Sequence, residues 1–97
     1  MTANETLHVL LIEDDEDDFL ITRSLLAKAQ VIDCEVKWAS TFEEGLEALL
    51  TKQFDVCLVD YRLGARTGLE LLQEAKAQGC QTPTILLTGQ GDLKVDI

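Results

Sequence analysis

Four residues stand at the ends of three apolar runs, where side chains could do chemistry. Asp60 closes Phe54-Asp-Val-Cys-Leu-Val-Asp60, Asp14 and Asp15 close Val9-Leu-Leu-Ile-Glu-Asp-Asp15, and Thr88 closes Thr84-Ile-Leu-Leu-Thr88. A carboxylate at the C-terminal end of a buried strand lies where open α/β sheets bind their ligands. If the strands are neighbours, three acids meet, and two unit charges 4 Å apart repel by roughly 4 kcal/mol at an effective dielectric of 20. A raised pKa, a lysine partner or a divalent cation would relieve that repulsion. Carboxylates, a loop carbonyl and waters make a hard-oxygen set suited to Mg2+. Such an ion would also hold a phosphoryl group and offset charge during its transfer, with Asp60 as the nucleophile that becomes an aspartyl phosphate. Taken alone, Asp14 or Asp15 reads better as a cap of the following helix; Asp60, the pair and Thr88 together, each at a strand end, favour the site. Glu13 is placed toward solvent or the rim of the site, and Asp17 and Asp18 read as helix-start charges.

The elements that must hold these residues follow from hydrophobic period. His8 to Glu13 carries the unbroken Val-Leu-Leu-Ile core of a strand covered on both faces. Asp17 to Ala29 reads as a helix. Cys34 to Ala39 alternates, with Cys34, Val36 and Trp38 on one face, as an edge strand does. Ser40 with Glu43, or Thr41 with Glu44, offers a capping box for a helix reaching about Lys52. Val56 to Asp60 is a buried strand, Arg62 to Arg66 a loop, and Thr67 with Glu70 opens a helix to about Gln78. Thr84 to Thr88 is the fourth strand, and Leu93 to Ile97 reads as the first turn of a further helix. Strands alternating with helices predict an α/β fold, a flavodoxin-like doubly wound parallel sheet of four strands in the order 2-1-3-4 with helices on both faces. Residues 1–97 read as one domain.

Composition narrows the function. The net charge is −10 and the eight Lys and Arg are scattered, which argues against nucleic-acid binding and against an anionic membrane surface. No apolar stretch approaches the ~20 residues of a spanning helix. Three widely spaced cysteines and the absence of a signal-peptide core point to reduced thiols and a cytoplasmic setting.

Leu10-Leu-Ile-Glu-Asp-Asp15, Val56-Cys-Leu-Val-Asp60, Gly68-Leu-Glu-Leu-Leu72 and Pro83-Thr-Ile-Leu-Leu-Thr-Gly89, in this order and spacing, resemble the receiver domain of two-component response regulators. The resemblance implies that Asp60 is the phosphoacceptor, Asp15 a direct Mg2+ ligand and Asp14 a second acid acting largely through water. It gives the Arg62 backbone carbonyl as a further ligand, Thr88 as the switch hydroxyl and Gly89 as the small residue that admits a donor. It implies a histidine kinase or phosphotransfer protein as partner and an unidentified output domain. An aspartyl-nucleophile phosphatase of the haloacid-dehalogenase kind would carry a second acid two residues after the nucleophile, where Arg62 stands.

The chain departs from the family in two places. The loop Tyr61-Arg-Leu-Gly-Ala-Arg-Thr67 lacks the Met-Pro common there, and the family's fifth-strand lysine has no counterpart before Ile97. The expectation is a receiver truncated before its fifth strand, impaired in phosphorylation or acting only as an interaction module. An open Thr84–Thr88 edge would then favour self-association.

Overall fold

The computed structural model describes residues 6–29, 33–87 and 93–96. The elements run β1 (Thr6–Ile12), α1 (Glu16–Ala29), β2 (Asp33–Ala39), α2 (Phe42–Thr51), β3 (Val56–Asp60), β4 (Arg62–Leu63), β5 (Arg66–Thr67), α3 (Gly68–Ala77), β6 (Thr84–Leu87) and β7 (Leu93–Asp96). The main sheet has the order β2-β1-β3-β6-β7, and β4 with β5 forms a separate two-stranded hairpin. Pairings among β2, β1, β3 and β6 are parallel, so the expected 2-1-3-4 arrangement is present under these labels.

The apolar run of β1 is buried because both faces of the strand are covered. Val9 and Leu11 point to one side, where Phe19 of α1 joins them with Leu58. Leu10 and Ile12 point to the other, against Phe42, Ala48 and Leu49 of α2 and Leu71, Leu72 and Ala75 of α3. Cys57, Val59 and Leu86 complete this second layer. Alternate residues of one strand thus serve two cores, as the two-residue period of a strand dictates. Strand β2 alternates in exposure and lies at the edge, as its pattern predicts.

The helices begin where their caps dictate. The Asp15 carbonyl accepts the Phe19 N–H at 3.0 Å and its Oδ1 accepts the Asp17 N–H at 3.0 Å, so Asp15 caps α1. Glu16, Asp17 and Asp18 fill the first turn. Thr41 caps α2 by accepting the Glu44 N–H at 3.1 Å, while Glu44 Oε1 reaches back to the Ser40 N–H at 3.0 Å. Thr67 and Glu70 form the reciprocal capping box of α3.

Two expectations are corrected at the far edge. Residues Leu93–Asp96 are a strand, not a helical turn, and β7 runs antiparallel to β6 with Ile85 opposite Val95 and Leu87 opposite Leu93. The Leu-Lys-Val-Asp sequence alternates apolar and polar residues, which suits a strand. A connection of five residues, too short for a parallel crossover, permits an antiparallel return. The edge of β6 is therefore paired rather than open, and self-association through Thr84–Thr88 loses its basis. The segment after Asp60, expected as a plain loop, is the β4–β5 hairpin, closed by Arg62 opposite Thr67 and Leu63 opposite Arg66. Leu63 is 4% exposed and anchors the hairpin in the core. No helix among the described residues is long and apolar enough to cross a membrane.

Candidate functional site

Strand register brings the acids together. Ile12 pairs with Val59 in the β1–β3 ladder, so the next residues along, Glu13 and Asp60, leave the sheet on the same rung. Carboxylate oxygens of Glu13, Asp14 and Asp60 lie within 4.8 Å of one another. Asp60 is half-buried, Asp14 exposed and Glu13 only 3% exposed.

This set differs from the expected one by a single residue. Glu13, placed by its sequence position at the rim, is in the cluster, and Asp15, expected as a direct ligand, is not. Asp15 Oδ1 is engaged by the Asp17 N–H as the α1 cap. Its own N–H donates to Glu13 Oε2 at 3.3 Å, which turns Asp15 into a support for Glu13. Glu13 follows Ile12 as Asp60 follows Val59, and only the β1–β3 register sets the two side by side.

Glu13 is held from three sides. Its N–H donates to the Ala39 carbonyl at 3.0 Å, extending the β1–β2 ladder. Its carbonyl accepts Trp38 Nε1–H at 2.7 Å, and its side chain accepts the Asp15 N–H. The Trp38 ring stacks on Phe19 of α1 at 4.3 Å between centroids and 9° between planes, which fixes the indole. Trp38 is thus a packing residue that also grips the backbone of an acid in the site.

The remaining parts come from the β3–α3 connection. The Gly64 N–H donates to Asp14 Oδ2 at 3.2 Å across the mouth of the site. Gly64 has φ +67, a conformation costly for other residues. The Tyr61 N–H donates to the Leu87 carbonyl at 2.9 Å, and the Gly68 N–H to the Tyr61 carbonyl at 2.6 Å, so both ends of the hairpin are tied down. A Cβ on Gly68 would collide with the Asp60 carbonyl oxygen, so α3 can start this close to Asp60 only on a glycine. Arg62, whose carbonyl is an expected ligand, lies in β4 two residues beyond Asp60, with its side chain exposed. Thr88 and Gly89 lie outside the described residues; Leu87, which precedes them, is the register partner of Asp60.

The electrostatics are those of confined like charges. Burial first, and the charge of Asp60 second, push the Glu13 carboxyl up from 4.5 to about 7. Asp60 is also raised, by burial and then by Asp14, while hydrogen bonds with the Tyr61 backbone and the Glu13 side chain act in the other direction. Three oxygen donors on adjacent strand ends, two of them pushed toward protonation by burial and by neighbouring carboxylates, fit a hard divalent cation. Such a cation would replace the protons and reverse both shifts.

Comparison with known proteins gives the same reading from another direction. The sequence profile of the response regulator receiver domain matches residues 9–97. The chain is 33% identical over 94 residues to the transcriptional regulatory protein RprY of Bacteroides fragilis, covering 97% of this chain and 38% of that protein. It is 33% identical over 75 residues to the response regulator protein PmrA of Pseudomonas aeruginosa, covering 77% of this chain and 34% of PmrA. The chain therefore spans little more than a third of these relatives. Among solved structures, a CheY-like receiver domain protein from Methanospirillum hungatei superposes with a TM-score of 0.71 at 26% identity, over 91% of this chain and 68% of that one. Profile, sheet order and the carboxylate cluster at the β1–β3 strand ends agree: the chain belongs to the response regulator receiver domain family.

Proposed function

We propose that this receiver accepts a phosphoryl group on Asp60 from the phosphohistidine of a histidine kinase or phosphotransfer protein. An Asp60 carboxylate oxygen attacks phosphorus in line, the bond from phosphorus to the imidazole nitrogen breaks, and its electron pair stays on that nitrogen. Mg2+, held by Glu13, Asp14, Asp60 and the Arg62 carbonyl, would supply the positive charge that offsets the phosphoryl oxygens. Thr88 is assigned the hydroxyl that turns to the acylphosphate and Gly89 the space for the donor.

The observation that supports this reading best is the three-carboxylate cluster, whose oxygens lie within 4.8 Å at the ends of adjacent parallel strands. An exposed apolar face lies next to it. Helix α1 starts two residues after Asp14 and leaves Leu20, Ile21 and Leu25 at 43%, 58% and 62% exposure, an apolar face suited to a helix of the donor protein.

Titration with Mg2+ and a tetrahedral phosphoryl analogue such as beryllofluoride tests the site. Saturable, Mg2+-dependent binding that Asp60→Asn abolishes is expected. No binding by the unaltered chain would reject phosphoacceptance and leave the interaction-module reading.

A further inference from the structure

The β4–β5 hairpin carries contacts that phosphoacceptance does not by itself require. Arg66, on β5, lays its guanidinium over the Phe42 ring with Cζ 3.8 Å from the centroid. Its Nε lies 3.9 Å from Glu70 Oε1 and a terminal nitrogen 3.6 Å from Glu74 Oε1. Phe42 opens α2 and is buried, while Glu70 and Glu74 lie on α3, so one side chain ties the hairpin to both helices of that face. On the opposite arm Leu63 is sunk in the core. Between these two anchors, at the turn, is Gly64, whose N–H holds Asp14 Oδ2.

We propose that this hairpin is a positioning device for the metal site: the Gly64 N–H orients the Asp14 carboxylate, and Arg66 holds the hairpin so that it can. The inference rests on the reading of Glu13, Asp14 and Asp60 as the Mg2+ site. Groups that hydrogen-bond to a metal ligand fix its orientation and tune its affinity without touching the ion. Asp14 is the exposed member of the cluster, and the Gly64 N–H gives it a fixed orientation. The carboxylate that Gly64 holds is the one that offers an oxygen within 4.8 Å of those of Glu13 and Asp60. A proline at position 64 could offer no N–H and could not take φ +67. A glycine at this turn is thus what makes the contact available. Arg66 is suited to its part because a planar guanidinium can stack on an aromatic face while its edge nitrogens approach carboxylates, which a lysine cannot do together.

The test uses the single tryptophan as reporter, since Trp38 Nε1 is hydrogen-bonded to the Glu13 carbonyl. Mg2+ is titrated by Trp38 fluorescence in the unaltered chain, in Arg66→Ala and in Arg66→Lys. Leu7→Ala, on the other face and at the far end of β1, is the stability control. Arg66→Ala is expected to weaken Mg2+ binding about tenfold, Arg66→Lys to recover part of the loss, and Leu7→Ala to leave affinity unchanged. The Gly64 amide proton resonance is expected to move upfield in Arg66→Ala without metal, as its hydrogen bond to Asp14 is lost. Equal affinity in Arg66→Ala and the unaltered chain, or equal weakening in Leu7→Ala, overturns the proposal while leaving the metal site standing. Failure of the unaltered chain to bind Mg2+ overturns both.

Discussion

Trp38 donates its indole N–H to the carbonyl of Glu13 at 2.7 Å, so an edge-strand aromatic holds the backbone of an acid in the adjacent strand's terminal cluster. The stack of Trp38 on Phe19 carries this grip to α1, whose N-cap, Asp15, in turn donates to Glu13 Oε2. Edge strand, first helix and acid are therefore one mechanical unit. Trp38→Phe keeps most of the stacking and removes the donor. It is expected to cost about 1–3 kcal/mol, because the Glu13 carbonyl loses its partner, and to weaken Mg2+ binding. Urea unfolding with and without Mg2+ measures both effects.

The raised carboxyls set a pH dependence with a definite sign. Glu13 holds its proton more tightly folded, at about 7, than its ordinary value of 4.5. Asp60 is shifted the same way. Between those two values the folded chain binds more protons than the unfolded chain, so metal-free stability falls as pH rises through the window. Mg2+ takes the place of the protons, so its stabilisation is expected to be larger at about pH 8 than at about pH 5.5, with protons released on binding. Glu13→Gln should raise the metal-free melting temperature at the higher pH and lower Mg2+ affinity. Melting curves across the range, with and without Mg2+, test this; a flat metal-free profile would contradict it.

Gly68 allows α3 to begin against Asp60. Gly68→Ala drives a methyl into the Asp60 carbonyl oxygen, the Val59 side chain and Leu86. The expected cost is about 2 kcal/mol or more, since neither a strand backbone nor a packed core yields easily. Phosphoryl-analogue binding should fall further than stability alone explains, because Asp60 is what moves. Binding measured well below the melting temperature separates the two losses.

The exposed face of α1 predicts how donors are distinguished. Ile21→Asp combined with Leu25→Ser should slow phosphoryl transfer from a histidine kinase or phosphotransfer protein by about tenfold or more, as loss of apolar anchors does at interfaces. Transfer from a small donor such as acetyl phosphate should be unchanged. Equal loss with both donors would place the defect in the site rather than in docking.

Much of this was legible from residue pattern. Unbroken apolar runs gave β1, β3 and β6, and the alternation of Cys34, Val36 and Trp38 gave an edge strand. Thr41 and Thr67 gave helix starts at the positions their side chains cap. The acid cluster was legible in kind but shifted by one residue. Glu13, Asp14 and Asp15 are adjacent, and which of them faces Asp60 depends on the β1–β3 register, which is a tertiary fact. Leu93–Asp96 is too short for its sequence to distinguish a helical turn from a strand, and pairing with β6 decides the matter. The clamp of Arg66 on Phe42 joins residues far apart in sequence, and nothing local announces it.

Cys57 lies in β3, three residues before Asp60 and wholly enclosed, and burial lifts its thiol far above the usual range. The sulfur is therefore protonated and out of reach while the sheet is intact. A thiol reagent can label it only when the core opens, whereas half-buried Cys34 and Cys80 need smaller fluctuations. The chain thus carries its own counter of opening events, placed three residues from Asp60 on the same strand.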